Sequence, residues 1–277
     1  MVLELISTDF LQRRPLAGLV LGFFYTFVGC LTAYIFLRGT LSIATLMFVT
    51  LLLAPSLINL LSVEEERERK EGLKHFFHNH KDVFEIYLFY SIGVFIAFLV
   101  LVFMSGAFGL DSSQVISEQM KIVGKGLSES QIQNFNADKY LHMFGLFGAN
   151  VGVAVLFFLL SFFYGAGSIF LMIWNASIFS TFVTVAIQNL SKGMQHTFGL
   201  LAAFSIYILP EIAGFLVAAI AGGVVSKAVI TEKFGSQGFR NVFRDAAVLF
   251  VIALGLLLVA AFLESFVATE IVKSLAI

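Results

Sequence analysis

Two glutamates, Glu211 and Glu264, stand in apolar runs long enough to cross a membrane: SIYILPEIAGFLVAAIAGG and LFVIALGLLLVAAFLESFVAT. A carboxylate at the centre of a bilayer costs roughly 2.5–3.5 kcal/mol on insertion scales, so such a group has a partner or a use. Three roles suit the residue type: a neutral carboxyl hydrogen-bonded to an amide, a carrier of a proton or ion, or a contact for a partner protein. Two asparagines in neighbouring apolar runs, Asn150 and Asn175, supply the amides. Counted inward from the exterior end of each run, Asn150 is about 8 residues deep, Glu264 about 6, Asn175 about 13 and Glu211 about 14, at about 1.5 Å per residue. The expected pairs are Asn150 with Glu264 and Asn175 with Glu211. Glu211 and Glu264 themselves, about 12 Å apart along the normal, are not expected to meet. Pro210 precedes Glu211, and a proline inside a helix frees a carbonyl and can kink or break the helix. Unwound backbone beside a carboxylate at mid-membrane is how transporters build ion sites.

These side chains must be positioned by helices. Of 277 residues, 59% are hydrophobic and 13% charged, and the mean hydropathy is +0.94. The apolar runs are continuous rather than alternating, and a helix satisfies its own backbone in lipid. Seven spans are expected: roughly 16–37, 40–61, 83–105, 142–163, 166–188, 197–222 and 246–270. The fold class is all-α, a polytopic transmembrane bundle with short amphipathic surface helices. A net charge of −1 leaves no basic footprint for nucleic acid. The single cysteine, Cys30, excludes an internal disulfide and reads as a small packing residue. With the N-terminus in the cytoplasm, that side carries 11 Lys and Arg against 6 opposite. The positive-inside rule thus favours a multi-pass protein of the cell membrane, N-terminus cytoplasmic and C-terminus exterior.

Three polar stretches separate the spans. Residues 62–82 read as a charged, helical cytoplasmic connector. In the exterior stretch 106–140, Ile116, Met120, Val123 and Leu127 form one helical stripe, which predicts an excursion lying on the outer membrane surface. Residues 224–244 interleave apolar and basic side chains and predict an amphipathic cytoplasmic element at headgroup level. Small residues mark where helices pack: Gly18 with Gly22, Gly148 with Gly152, Gly165 and Gly167 in the link between the fourth and fifth spans, and Gly214, Gly222 and Gly223. Tight packing within the bundle is their expected role, and homo-oligomerisation through one of these faces is the alternative. The fourth and fifth spans form either a tight hairpin or a pair with a re-entrant piece.

His75, His78, His80, Asp82 and Glu85 crowd into the connector, where a solvated face is expected rather than a metal site. Three short motifs there are similar to those of CAAX-type intramembrane proteases. That family spreads them over different helices, whereas here they fall within 19 consecutive residues, and the protease reading is set aside. No nucleotide-binding motif or catalytic triad order is recognisable. Neither enzymatic activity nor a cofactor or metal is expected.

From about residue 83 onward the chain resembles the stage II sporulation protein M family. Three patterns carry the likeness: NVGVAVLFFLLSFFYGAGSIFLMIWNASIFSTF from Asn150 to Phe182, Pro210-Glu211 followed eleven residues later by Gly222-Gly223, and AAFLESF at 260–266. The family often has histidine and glycine before the membrane glutamate and glycine after the second asparagine, where this chain has Ile208-Leu209-Pro210 and Ala176. The resemblance implies a five-helix membrane core over 83–277, with 1–82 as a two-helix extension and connector. It also implies roles for Asn150, Asn175, Glu211 and Glu264, and a non-enzymatic scaffold; in spore formers the family member is implied to organise peptidoglycan-remodelling enzymes. The leading expectation is a scaffold or assembly protein that gathers membrane or envelope proteins in the lipid bilayer. The alternative is a proton- or ion-coupled transporter or channel using Glu211.

Overall fold

A computed structural model of the protein describes residues 8–71, 76–105, 111–124, 139–233 and 235–276. The described residues are helical throughout, without a strand. A short helix α1 (Thr8–Arg13) leads into α2 (Ala17–Phe36). A 3-10 turn at Arg38–Thr40 opens α3 (Leu41–Glu71), and α4 runs Phe76–Met104. Two short helices follow, α5 (Ser112–Val115), whose first turn is capped by the Asp111 carboxylate accepting from the Ser113 N–H, and α6 (Ser117–Val123). Then come α7 (Lys139–Phe163), α8 (Gly165–Leu190), α9 (Met194–Thr231) and α10 (Gln237–Phe262). A π-helical turn, Leu263–Ala268, joins α10 to α11 (Thr269–Ala276).

Seven of these helices are long and apolar enough to cross a membrane, the number read from the sequence. Two expected boundaries were too narrow. The sixth and seventh candidate spans run Met194–Ser226 and Gln237–Leu275, far beyond 197–222 and 246–270. The stretch 224–244 is accordingly no separate surface element. Val224, Val225 and Val242 are buried core, and the region is the end of α9 and the start of α10. The charged connector is helical at its described residues, where it continues α3 and α4. The side chains of His75, His78 and His80 lie outside the described set, as do Leu127 and its neighbours. Between α7 and α8 only Tyr164 leaves the helical conformation, so the two are a plain tight hairpin opened by Gly165, without a re-entrant piece.

Helix α9 is the most buried span, and every residue from Glu211 to Val225 is buried. A helix apolar all round belongs at the centre of a bundle. Here α10, α7 and α8 surround it, while α2, α3 and α4 form a second group joined through α8. In lipid, helices gain little from leaving one apolar medium for another, so van der Waals contact between closely approaching backbones holds them together. The glycines show where this happens. A Cβ on Gly222 would fall 2.1 Å from the Phe158 carbonyl oxygen of α7. Between α2 and α4 the contact is reciprocal: a Cβ on Gly22 would lie 2.6 Å from the Tyr90 carbonyl, and one on Gly93 2.2 Å from that of Leu19. Gly214 packs on Leu257 of α10, and Gly223 is buried beside Gly222.

Gly148 and Gly152 behave differently. Nothing lies within 4 Å of a Cβ built on either one, nor on Gly145, so their expected role inside the bundle is not the one they have. They face outward from α7, the least buried of the seven spans.

The two kinds of glycine separate in one experiment. Gly222→Ala forces α7 and α9 apart and is expected to lower stability by about 1–3 kcal/mol, as overpacking does. Gly148→Ala meets nothing and should leave stability unchanged or raise it by up to about 1 kcal/mol through helix propensity. Thermal unfolding of the purified protein in micelles reads both.

Candidate functional site

The register of α9 against α10 and α11 determines which polar groups meet. Near the start of α9, Gly199 packs on the Leu275 side chain, and the His196 ring contacts the Leu275 carbonyl. Further along, Gly214 packs on Leu257. The helices run antiparallel, so each step along α9 matches a step back along the other strand of the pair. Glu211 is twelve residues beyond Gly199, and Glu264 is eleven residues before Leu275. The two glutamates therefore lie at the same level of the bundle.

They lie within electrostatic reach of one another, and the Asn150 side chain of α7 is within hydrogen-bonding reach of Glu211. Tyr207, buried one turn before Glu211 on α9, feels both carboxyl groups. The expected pairing is thus overturned. Asn150 serves Glu211 rather than Glu264, and Asn175 is in neither pair: its Nδ2 donates to the Leu171 carbonyl one turn back on α8, at 2.9 Å. Depths failed because they were counted from ends set by composition, and α9 and the α10–α11 rod both extend past those ends.

The backbone is irregular at the same level. Pro210 does not break α9, which is continuous from Met194 to Thr231, but its missing N–H leaves the Ile206 carbonyl without a helical donor. The distortion expected at Pro210 appears across the interface instead. Glu264 sits inside the π turn, where its carbonyl accepts from the Thr269 N–H and, at 2.7 Å, from the Thr269 hydroxyl. Single π turns inside α-helices recur at functional sites because the widened turn re-aims side chains.

The Glu270 end of this cluster is stapled. Lys139 Nζ lies 2.7 Å from Glu270 Oε1, Lys273 Nζ lies 3.3 Å from the same atom, and the Tyr140 and Phe266 rings meet edge-on at 5.2 Å. These contacts tie the start of α7 to the π turn and α11. Toward the other end, Phe157 of α7 stacks on Phe215 of α9 at 5.4 Å.

A second polar network holds α6. Ser42 Oγ of α3 donates to Gln119 Oε1 at 2.7 Å, and Gln119 Nε2 donates to Ser177 Oγ of α8 at 2.9 Å. Ser177 in turn donates to the Trp174 carbonyl, and the Glu118 N–H donates to Ser42. Val115, Ile116 and Gln119 are buried. At its described residues the stretch 106–140 is held against the bundle: α6 is docked between α3 and α8 by an amide. Ile116 and Met120, read as a membrane-facing stripe, pack on the protein core instead, while Ile122 is exposed. Cys30 is buried, as expected of a small packing residue, and Trp174 packs against Phe170.

Sequence reading missed Tyr207, Gln119 and Asp245, the last fully buried on α10. Tyr207 was accessible, since it lies four residues before Glu211 and shares its helix face. Gln119 gave only the signal of an amide beside an apolar stripe. Asp245 fell just outside a span drawn to begin at 246. Among the described residues no group of three His, Cys, Asp or Glu could hold a metal ion.

The sequence model of the family described as stage II sporulation protein M matches residues 86–269. The chain belongs to that family. The match begins within α4 and takes in Asn150, Asn175, Glu211 and Glu264, and it leaves α2 and α3 outside. No curated protein and no solved structure matches this family member.

The α6 latch is separable from the glutamate cluster. Gln119→Leu leaves the Ser42 and Ser177 hydroxyls without their amide and is expected to cost about 1–3 kcal/mol. Limited proteolysis of the segment around α6 should accelerate correspondingly, with α9 and α10 remaining protected.

Proposed function

We propose that this stage II sporulation protein M family member is a non-enzymatic scaffold of the cell membrane that docks other membrane or envelope proteins against its α7 face. One observation carries the reading. Gly145, Gly148 and Gly152 lie open on the outward side of α7, with Ala149 among them. Gly18, Gly22, Gly93, Gly214 and Gly222 each face a neighbouring helix, and Gly255 of α10, though open, has Val251 and Val259 one turn away rather than a second glycine. A small-residue groove in lipid is the surface against which a second helix packs most closely. The inward side of the same helix, with Met143, Ala154, Phe157 and Ser161, is buried. Helix α7 thus faces two ways, one side inside its own bundle and one side available to a partner helix, whether from another protein or a second copy. The charge asymmetry between the loops supports a cytoplasmic N-terminus and an exterior C-terminus.

A photo-crosslinking residue in place of Leu156, on the open face, tests this in native membranes. A protein adduct of defined mass is expected there. The adduct should disappear when Gly148→Leu and Gly152→Leu fill the groove, and it should be absent when the probe replaces Val251, exposed on α10. Equal adducts at 156 and 251, or none at 156, would reject the docking face.

A second reading, proton- or ion-coupled transport, is favoured by the meeting of Glu211 and Glu264. It expects proton or monovalent-cation flux in proteoliposomes that vanishes in a folded Glu211→Gln variant. A scaffold tolerates that substitution, since glutamine keeps the shape and a hydrogen bond, and shows no flux in either protein.

A further inference from the structure

We infer that Glu211, Glu264, Asn150 and Tyr207 form one buried site for a single monovalent cation, taken either as a proton shared between the two carboxyl groups or as Na+. The assignment deepens the coupled-flux reading of these residues, but it concerns equilibrium binding and holds or fails without transport.

Geometry comes first. Three elements pack on one another here: α9, which carries Tyr207 and Glu211, the π turn, which carries Glu264, and α7, which carries Asn150. Every donor is an oxygen once the Asn150 carbonyl is counted, and the Ile206 carbonyl freed by Pro210 lies one turn before Pro210 on the same helix. All-oxygen sets suit hard cations and protons and do not suit soft metals. Two backbone ladders, at Pro210 and at the π turn, are interrupted where the carboxyl groups meet.

Charge is the second argument. Two ionised carboxylates at membrane depth without a counter-charge would cost several kcal/mol each. The described cations on the packed elements are far off. Lys139 on α7 is eleven residues from Asn150, and Lys273 on α11 is nine from Glu264. Both are already engaged by Glu270. On α9, His196 is fifteen residues from Glu211 and bound to the Leu275 carbonyl, and on α10, Arg240 and Arg244 lie at the opposite end. Asn150 and Tyr207 can donate hydrogen bonds but carry no positive charge. One bound monovalent cation lowers the pair from two negative charges to one, which an amide and a phenol can solvate. Calcium prefers six to eight oxygens and magnesium retains several waters in a strict octahedron, so this small set favours the monovalent class. Glu264 is also the more exposed carboxyl, and Glu270 lies six residues, about 9 Å, nearer the exterior end. An ion would enter from that side.

The test uses the full chain in micelles, titrated with NaCl at constant ionic strength against choline chloride, and separately with pH from 5 to 9. Infrared difference spectra read the protonated-carboxyl C=O stretch, and thermal unfolding reads bound ligand through the stabilisation it confers. In the Na+ case, the unfolding temperature rises with NaCl and not with choline chloride, and Na+ removes the C=O band. In the proton case, the band titrates with pH and NaCl has no effect. Either result supports the site, and in both Glu211→Gln and Glu264→Gln abolish the response. Asn150→Ala retains both carboxyls and should shift the midpoint by about tenfold, the effect of one hydrogen bond to a charged group. If a glutamine variant fails to fold, the wild-type titrations and Asn150→Ala still decide. The inference is overturned if both carboxyls stay protonated from pH 5 to 9 with no effect of Na+. It is also overturned by a response to Ca2+ or Mg2+ alone. Binding without flux would leave the site standing and remove only the transport reading.

Discussion

Close backbone contact along α9 is the constraint on which the bundle depends. Water cannot drive helices together inside a bilayer, so they associate by van der Waals contact and a few polar bonds. Contact is close only where side chains are small, and α9 meets both main neighbours that way, α7 through Gly222 and α10 through Gly214. The same device joins α2 to α4 through Gly22 and Gly93. At Gly222, Gly22 and Gly93 the contact is unforgiving, because backbone sits where a Cβ would be. Together they limit how far one helix can slide past the next.

That limit positions the polar groups. With Gly214 against Leu257 and Gly199 against Leu275, α9 and the α10–α11 rod have one register, and it sets Glu211 against Glu264. The π turn lies between these two contact points. An inserted residue in a helix rotates everything beyond it, so the turn lets α10 keep its face toward Gly214 while α11 keeps Leu275 over Gly199. The carboxyl pair and the helical irregularity are thus one feature of the packing.

Much of this was legible in the sequence. Seven spans followed from runs of apolar residues, because helix length in lipid is dictated by bilayer thickness. The family was legible in Asn150, the glycine link, Pro210-Glu211 and AAFLESF. Glu211, Glu264 and Asn150 stood out because polar groups are costly there. Their partnership did not, since depth depends on where each helix begins. Helices α9 and α10 begin and end in sequence polar enough to pass for loop. The direction of a GxxxG was equally hidden: Gly22 faces Tyr90 while Gly148 faces nothing, and both read as the same motif. Gln119 was lost for another reason. A stripe of apolar residues suggests lipid, and only the presence of Ser42 and Ser177 across the gap makes an amide the better anchor.

Helix α7 connects the two functional readings. Asn150 lies two residues from Gly148 and two from Gly152, on the inward stripe with Met143, Ala154 and Phe157. A helix moves as a rigid rod over such a distance, so whatever packs on the outward groove acts on the rod that presents Asn150 to Glu211. At one end the rod is held by Lys139 on Glu270, an exposed ion pair of the kind worth at most about 1 kcal/mol. At the other it is held by Phe158 against Gly222, where backbone touches backbone and little can give. Force applied between them is therefore taken up at the Lys139 end. There α7 meets the π turn through Tyr140 and Phe266, and through that turn it meets Glu264. The glycine face and the carboxyl cluster are thus two sides of one helix.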